Sequence, residues 1–348
     1  MAKKLNIGIV GAGRIGKVHA RNLVYRIPGA CLRAIVDLNE DAARGLAAEL
    51  GVPGAGADFR ELLTDPEIQA VLVCSSTDTH ARITQEAARA GKHVFCEKPI
   101  SHSLAEIDET LGVVEKAGVK LQVGFNRRFD ANFRRVRRAV ESGEIGEPSL
   151  IHIVSRDPAP PPIEYVKSSG GMFLDMTVHD FDMARFLIGA EIEEVFTLAG
   201  VRVDPAIGAA GDVDTAVILL KFCNGVIGTI DNSRRASYGY DQRVEILGSK
   251  GSIATMNNYP NQAVISDGQS VRRDLPLNFF MDRYTESFVA EVADFMEAVL
   301  MDRPVPVGGA DGRISVAMAM AAAKSHLEGR PINLVTGDYF PNFLSADC

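Results

Sequence analysis

The sequence has no tryptophan and only five cysteines among its 348 residues. The cysteines are scattered and odd in number, and no Cys-x-x-Cys pair occurs, which excludes a disulfide scaffold and favours a reducing cytoplasm. No apolar run approaches the roughly 18 residues that a membrane span needs. The net charge of −8 argues against general affinity for nucleic acid or anionic membranes. We therefore expect a cytoplasmic protein with neither nucleic-acid nor membrane partners.

The remaining composition is that of an ordinary globular protein, with 46% hydrophobic and 24% charged residues. The chain is long enough for two domains with a large buried core. Its first residues, Met1-Ala2-Lys3-Lys4, lead directly into an apolar run, which predicts that no secretory signal precedes the fold.

A glycine motif follows the first apolar run, Leu5 to Val10, and reads Gly11-Ala12-Gly13-Arg14-Ile15-Gly16. An acid, Asp37, closes the next apolar run roughly twenty residues later, which is the spacing of a dinucleotide-binding turn. The helix after such a turn offers unpaired N–H groups to a pyrophosphate. Asp37 would bind ribose hydroxyls and repel a 2′-phosphate, and Leu38 supplies no cation, so NAD is favoured over NADP. The alternative is a glycine-rich turn without a ligand.

Strand-like and helical segments alternate regularly through the first third of the chain, which predicts a doubly wound parallel sheet. Ligands of such sheets bind outside the carboxyl ends of the strands. We therefore expect one crevice to be lined by the residues that follow these strands: Gly11, Asp37, Ser75-Ser76-Thr77, Glu97-Lys98-Pro99 and Asn126-Arg127.

Strand character dominates after about residue 125, with hairpin signals at Asn224-Gly225 and Asp267-Gly268. Gly171 to Leu187 is predicted to be a helix against one face of a large, mostly antiparallel open sheet. The predicted organisation is a Rossmann domain over residues 1–124 and an α+β domain for substrate binding and oligomerisation over residues 125–348.

Three residues have side chains suited to alcohol oxidation. Lys98 can stabilise the alkoxide-like charge that develops as hydride leaves. Asp175 and His179 are four residues apart on a predicted helix, where a carboxylate can orient an imidazole that acts as base. The alternatives are a surface lysine, and a structural histidine beside an N-cap aspartate. A metal site at His179, Asp180 and Asp182 is disfavoured because those spacings do not share one helical face, and we expect no metal.

These motifs together resemble the Gfo/Idh/MocA family of NAD(P)-dependent oxidoreductases over essentially the whole chain. The resemblance depends on the glycine motif, on Glu97-Lys98-Pro99, and on Gly170-Gly171 followed by Asp175-x-x-x-His179-Asp180. Within the family it is strongest to inositol dehydrogenases, through Gly124 to Asp130, Ser155 to Pro158 and Phe173 to Asp182.

The resemblance implies a catalytic triad of Lys98, Asp175 and His179, with His179 as the base. It implies a homotetramer, because the family commonly assembles through the open face of its second-domain sheet. It also assigns the remaining site residues. The cofactor would be bordered by Gly11, Gly13, Arg14, Ile15, Gly16, Asp37, Ser75, Ser76, Thr77, His80, Glu97 and Lys98, and the polyol by Lys98, Asn126, Arg127, Ser155, Arg156, Asp175, His179 and Tyr284.

The expected activity is NAD-dependent oxidation of a secondary ring hydroxyl of a cyclic polyol to a ketone, with myo- or scyllo-inositol foremost. A hexopyranose dehydrogenase of the same family, a relative that retains its cofactor between turnovers, and a non-catalytic NAD-binding regulator are the alternatives. The sequence leaves open the inositol isomer, the physiological direction and the number of subunits.

Overall fold

The computed structural model describes residues 4–335, and the chain divides into two compact units. The first unit comprises the residues up to 129 together with residues 286–316, and the second unit comprises residues 130–285 together with those from 317 onward. Residues 286–316 group with the amino-terminal part of the chain, and the boundary between residues 124 and 125 stays a prediction. Residues 1–3, on which the prediction of no secretory signal depends, and residues 336–348 lie outside the described range.

A parallel six-stranded sheet forms the centre of the first unit, as far as the chain is described. The strand order is β3-β2-β1-β4-β5-β6, which confirms the predicted doubly wound sheet and places its switch point between β1 and β4. Strand β4 is buried throughout, as expected of a strand covered on both faces. The strands are β1 (Leu5–Val10), β2 (Ala30–Val36), β3 (Gly54–Gly56), β4 (Ala70–Val73), β5 (His93–Cys96) and β6 (Leu121–Val123).

Helices connect these strands, and their ends follow the sequence closely. The Asn39 side chain caps the second helix by accepting from the Ala42 N–H, and Ser103 caps the fifth by accepting from the Glu106 N–H, as its spacing predicts. Gly118 ends the fifth helix at a φ of 66°. The helices are α1 (Arg14–Tyr25), α2 (Glu40–Leu50), α3 (Arg60–Thr64), α4 (Thr77–Arg89) and α5 (Leu104–Ala117).

A seven-stranded sheet forms the centre of the second unit within the described residues. Its order is β12-β11-β7-β10-β9-β8-β15, in which β7 and β10 pair in parallel while the other pairs are antiparallel. This confirms the expected mostly antiparallel sheet. Its strands are β7 (Pro148–Arg156), β8 (Ile192–Gly200), β9 (Thr215–Phe222), β10 (Ile227–Ser233), β11 (Asp241–Gly248), β12 (Gly251–Thr255) and β15 (Ile332–Asn333), and β13 (Val264–Ser266) pairs with β14 (Val271–Arg273) as a separate hairpin.

The two faces of this seven-stranded sheet differ in burial. Along β9, Ile218, Leu220 and Phe222 are buried, whereas Val217 and Leu219 between them are exposed. The exposed side, which we call the outer face, is rich in large apolar residues within this unit. Its exposed apolar members are Leu150, Leu198, Val217, Leu219, Ile227 and Leu247.

One helix of the second unit begins differently from its prediction. The helix expected over 171–187 begins as a π-helical turn, Phe173–Thr177, and continues as an α-helix from Val178. A short helix over Ile163–Ser168 begins directly after Pro162, whose fixed φ presets the backbone there. The helices are α6 (Ala131–Glu141), α7 (Ile163–Ser168), α8 (Val178–Ile188), α9 (Pro205–Ala209) and α10 (Phe280–Arg283).

The last two helices are α11 (Thr285–Leu300) and α12 (Gly309–Glu328). Helix α10 ends at Tyr284, directly before α11 begins. Val292, Phe295 and Met296 of α11 belong to the same buried cluster as Phe95 of β5, which explains why this segment groups with the amino-terminal sheet. None of the helices between residues 4 and 335 combines the length and apolar character that crossing a bilayer requires.

Candidate active site

The turn between β1 and α1 leaves no room for a side chain at two of its glycines. Gly11 has a φ of 108°, and a Cβ there would lie 2.4 Å from the Cys74 carbonyl oxygen. A Cβ on Gly16 would lie 1.9 Å from the Gly11 carbonyl oxygen. These two glycines therefore allow the turn and the close packing of the helix against it.

Gly13 has a different role, because a Cβ placed on it would meet nothing within 4 Å. It is the N-cap residue of α1, and no side chain caps that helix end. Gly13 and Arg14 are exposed there, whereas Ile15 is half-buried. The helix end thus presents backbone N–H groups to open space, which fits the pyrophosphate of a dinucleotide.

Asp37 lies at the carboxyl end of β2 and is held by the backbone. Its Oδ2 accepts from the Ala12 N–H at 2.7 Å, and its Oδ1 accepts from the Asn39 N–H at 2.8 Å. The next residue, Leu38, is 93% exposed. The carboxylate therefore stabilises the glycine turn, and the neighbouring leucine adds no charge beside it.

The residues after β4 that were predicted to border the cofactor differ in burial. The Ser75 and Thr79 hydroxyls lie 2.6 Å apart, while Ser76 is exposed and Thr77 half-buried. His80 is buried, and its Nδ1 and Nε2 lie 2.8 and 3.1 Å from the carbonyl oxygens of Pro99 and Ser75. His80 thus ties the ends of β4 and β5 together.

The pKa of His80 fits these two contacts. Burial lowers it, but Cys96 and the two carbonyl groups outweigh burial and raise the pKa to about 9. Two carbonyl oxygens can only accept, so both ring nitrogens must donate. We conclude that His80 is an imidazolium at neutral pH.

Glu97 and Lys98 follow β5, and both are half-buried. The Lys98–Pro99 peptide bond is cis. Glu97 Oε1 lies 2.8 Å from His19 Nε2, and a Cβ on Gly124 would lie 3.0 Å from Glu97 Oε2. The carboxylate is therefore packed against backbone and fixed by a buried histidine, which fixes the strand end that presents Lys98.

A third acid, Glu291 of α11, completes a buried cluster with His19 and Glu97. Its Oε1 lies 3.9 Å from His19 Nε2, and neither Glu291 oxygen has a hydrogen-bond partner among the described residues. Burial and the charge of Glu97 raise the pKa of Glu291 well above its usual range. The three ligand atoms lie within 4.8 Å of one another. The raised pKa favours the protonated form of Glu291 in this cluster.

Asn126 and Arg127 form part of a 3₁₀ turn, Asn126–Phe129, directly after β6. Each is only 5% exposed. The Nδ2 atom of Asn126 is buried and has no hydrogen-bond partner among the described residues. A buried amide without a partner is costly, and a ligand hydroxyl at this strand end would satisfy it.

Asp175 and His179 lie on the π-helical turn and on α8, respectively, and both are half-buried. Asp175 Oδ1 accepts from the Tyr165 hydroxyl at 2.8 Å, and Oδ2 accepts from Arg234 Nη2 at 2.9 Å. Arg234 Nη1 also donates to Asp157 Oδ2 at 3.1 Å. We call these four residues of the second unit, Asp157, Tyr165, Asp175 and Arg234, the polar wall.

Ser155 and Arg156 were predicted together as substrate ligands, but as neighbours in β7 they point to opposite faces. Ser155 is fully buried and its hydroxyl accepts from Gln242 Nε2 at 3.1 Å. Arg156 instead donates to the Asp231 carboxylate and, at 3.1 Å, to the Tyr238 hydroxyl. A direct role for Arg156 in substrate binding would require it to leave Asp231.

Tyr284 lies at the break between α10 and α11 and is 2% exposed. The Arg283 guanidinium carbon lies 4.8 Å from the centre of its ring, and the Tyr240 ring packs edge-on at 6.1 Å. Asp180, from the disfavoured metal set, is fully buried and accepts from Asn232 Nδ2 at 2.9 Å. Asp180 is therefore engaged within the fold.

Family models match both parts of the chain. The model of the oxidoreductase family with an NAD-binding Rossmann fold matches residues 5–125, and the Gfo/Idh/MocA C-terminal domain model matches residues 133–254. The chain belongs to the Gfo/Idh/MocA family of oxidoreductases. The resemblance stated from the motifs is confirmed, and the first unit is its NAD-binding domain.

Similar proteins cover nearly the whole chain. A myo-inositol 2-dehydrogenase of Thermotoga maritima is 50% identical over 95% of this chain and 98% of its own length. An inositol 2-dehydrogenase of Rhizobium meliloti is 45% identical over 95% of this chain and 99% of its own length. The structure of a scyllo-inositol dehydrogenase from Lactobacillus casei with NAD(H) and scyllo-inositol aligns with a TM-score of 0.89 at 31% identity, covering 96% of this chain and 100% of that one.

Sequence reasoning missed several residues that hold the candidate catalytic groups. Tyr165 and Arg234 contact Asp175, and His19 contacts Glu97. Tyr165 and Arg234 carry no local motif, because they approach Asp175 through the fold. His19 could have been found, since it lies one helical turn after Gly16 on the helix that opens the nucleotide site.

Proposed function

We propose that this protein is an inositol 2-dehydrogenase, which oxidises one secondary ring hydroxyl of myo-inositol to a ketone with NAD. The supporting observation is the 50% identity with a myo-inositol 2-dehydrogenase over 98% of that protein's length. The chain also has Lys98, Asp175 and His179 at the positions where its motifs resemble the family's catalytic set. scyllo-Inositol ranks second, because the relative solved with that ligand is 31% identical.

The residues of the first unit fit NAD. The open space at Gly13 and the uncapped start of α1 suit the pyrophosphate, and Asp37 suits the adenosine ribose. When bound, NAD accepts the hydride that leaves the substrate carbon. We propose that Arg14, Ile15, Ser75, Ser76, Thr77 and Glu97 border the cofactor, whereas His80, with both nitrogens on carbonyl oxygens, supports them from behind.

Three side chains would then act on the polyol. His179 takes the proton from the reacting hydroxyl, since an imidazole titrates near neutral pH. The Lys98 ammonium donates a hydrogen bond to the same oxygen and stabilises its developing negative charge. Asp175 accepts from a ring hydroxyl and orients His179, four residues further along the chain.

The other hydroxyls of the ring need polar partners. We propose that these partners are Asn126, Arg127, Ser155 and Tyr284. Arg156 would contact the substrate only if its guanidinium gave up a hydrogen bond to Asp231. The buried Asn126 amide without a partner supports this assignment. Each donor left unsatisfied by a poorer substrate costs about 1–3 kcal/mol, so the site should discriminate against simple alcohols.

We further propose that the protein is a homotetramer assembled through the outer face. Leu150, Leu198, Leu219 and Ile227 are between 46% and 63% exposed on that face. Apolar patches of this kind mark subunit interfaces in soluble proteins. Light scattering of the unmodified protein and of a Leu219→Lys variant would test the assembly, which the lysine charge should weaken. The cytoplasmic location stays a prediction.

The decisive experiment measures kcat/KM with NAD, by absorbance of the reduced cofactor, across inositol isomers, D- and L-glucose, and cyclohexanol. We expect myo-inositol to be best and cyclohexanol to be a very poor substrate. Turnover of a hexose alone would favour the sugar-dehydrogenase alternative. No turnover of any polyol, with NAD still bound, would favour a regulator. Release of nucleotide on denaturation would identify a protein that retains its cofactor.

A further inference from the structure

Arg234 is a buried cation shared by two carboxylates of the second unit. Its side chain is 5% exposed, its Nη1 donates to Asp157 Oδ2 at 3.1 Å, and its Nη2 donates to Asp175 Oδ2 at 2.9 Å. Burial lowers the pKa of Arg234, but Asp175 and Asp157 outweigh burial and raise it. The two acids are therefore held together by one fixed positive charge.

The parallel pairing of β7 with β10 explains how Arg234 reaches this place. Ser233 and Arg156 are register partners at the carboxyl ends of these strands, so the next residue of each strand, Arg234 and Asp157, leaves the sheet at the same edge. The Asp157 N–H donates to the Ser233 carbonyl at 2.9 Å, and the Arg234 N–H donates to the Asp214 carbonyl at 2.8 Å. The backbone thus places the guanidinium independently of its side-chain bonds.

Tyr165 fixes the other oxygen of Asp175. Its hydroxyl donates to Oδ1 at 2.8 Å, while Arg234 binds Oδ2. Two donors on different oxygens define the plane of a carboxylate, which a single donor would leave free to rotate. The π-helical turn that carries Asp175 therefore presents this group in one orientation.

The location of the polar wall indicates a function beyond stability. Side-chain exposure rises from 5% at Arg234 to 12% at Asp175 and 25% at Asp157, and Tyr165 is 48% exposed. The cluster therefore opens toward solvent rather than closing within the core. A buried ion pair is weak evidence for folding stability, because desolvation of the charges offsets their attraction, whereas orienting a carboxylate for a ligand requires this arrangement.

We propose that Arg234 is a positioning residue for the dehydrogenase reaction, orienting Asp175 for the polyol, with Tyr165 fixing the second carboxylate oxygen. This inference rests on the proposed function, in which Asp175 contacts substrate. Arg234 touches neither substrate nor cofactor in this role. Its effect passes through Asp175, so catalysis should suffer while NAD binding does not.

The test compares Arg234→Lys with Arg235→Lys in the full-length protein. Arg235 is the exposed neighbour and serves as the matched control. Lysine keeps the charge but cannot bridge two carboxylates with a planar fork. We expect Arg234→Lys to lower kcat about 10²-fold, the effect of a misplaced catalytic group, with NAD affinity and melting temperature close to the unmodified protein. Arg235→Lys should leave all three unchanged.

Two further measurements separate positioning from a structural role. Tyr165→Phe removes one donor and should lower kcat by less than Arg234→Lys does. Inositol deuterated at the reacting carbon should show a larger isotope effect on kcat in Arg234→Lys, because hydride transfer becomes slower. Wild-type kcat in Arg234→Lys, or a loss that only follows the unfolded fraction, would overturn the inference. Failure of the unmodified protein to oxidise any inositol would instead refute the proposed function.

Discussion

The nucleotide-binding turn and the polar wall differ in how far apart in the sequence their contacting residues lie. In the turn, the glycines lie together between Gly11 and Gly16, the Ala12 N–H donates to Asp37 across 25 positions of the sequence, and Gly11 packs against Cys74. In the polar wall, Arg234 is 59 positions from Asp175 and 77 from Asp157. The turn is therefore encoded by a short motif, whereas the wall is encoded by strand pairing. The two regions should respond differently to mutation.

The largest effect is expected at Lys98, which follows a strand of the nucleotide-binding unit but is proposed to act in the chemistry. Lys98→Met should lower kcat by about 10³-fold or more, because the developing alkoxide loses its cation. Lys98→Arg should not restore activity, since a guanidinium differs in size and geometry. NAD affinity and the melting temperature should stay near normal, as they should in the exposed control Lys116→Met. Substantial activity in Lys98→Met would place this lysine outside the reaction.

A similar loss of activity is expected on substitution of His179, which belongs to the same unit as the polar wall. His179→Ala should lower kcat by about 10²–10⁴-fold, the usual effect of removing a general base. NAD affinity, measured by isothermal titration calorimetry, should be unchanged because the proposed cofactor residues lie in the first unit. Unchanged kcat at neutral pH would make His179 a structural residue.

Substitutions of two glycines in the turn should have different effects on stability and on NAD binding, because only one of the two glycines lies against other atoms. Gly16→Ala places a Cβ 1.9 Å from the Gly11 carbonyl oxygen and should destabilise the protein by about 1–3 kcal/mol. Gly13→Ala meets nothing within 4 Å and should leave the melting temperature unchanged. It should still weaken NAD binding about tenfold, roughly 1.4 kcal/mol, by occupying the space of the pyrophosphate. Equal melting temperatures for both variants would contradict this distinction.

A smaller effect is expected at Asp37, which has two functions in the turn. Asp37→Ser removes the negative charge, so the ratio of kcat/KM for NAD to that for NADP should fall about tenfold, as for loss of a charge-assisted hydrogen bond. It also weakens the bonds to the Ala12 and Asn39 N–H groups, so a modest drop in melting temperature should accompany it. Equal use of NADP by the unmodified enzyme would refute the assignment of Asp37.

The smallest effect concerns stability and pH at Glu291. Burial and the charge of Glu97 raise the pKa of Glu291 in the folded protein above the value of about 4.5 expected for the unfolded chain, so stability should fall as pH rises beyond that value. Glu291→Gln imitates the protonated form and should remove this part of the decline. The other titratable groups, His80 among them, are the same in both proteins. The difference between their free energies of unfolding in urea, measured from pH 5 to 8, therefore reports on Glu291. A variant less stable than the unmodified protein at pH 8 would show that Glu291 is ionised.

The sequence predicted those parts of the fold and site that depend on neighbouring residues. Asn39 and Ser103 cap the helices expected after them, and Gly11, Gly16 and Asp37 make the turn that their spacing implies. Periodicity could not show that α11 packs with Phe95, because one apolar face fits either core. Nor could it show that Tyr165 and Arg234 bind Asp175, because that contact depends on which strands pair. The resemblance assigned both Ser155 and Arg156 to the polyol, but it does not show that neighbouring residues of a strand point to opposite faces of the sheet.

The parallel pairing of β7 and β10 also has a consequence for the order of folding. These strands are neighbours in the sheet, yet β8 and β9 lie between them in the chain. Contacts that close long loops form slowly, because their entropy cost precedes their energetic reward. During refolding, the amides of β1 and α1 should therefore become protected from hydrogen exchange before those of β7 and β10. A refolding chain would then form its nucleotide-binding turn before it forms the polar wall that we propose to orient Asp175 for a polyol.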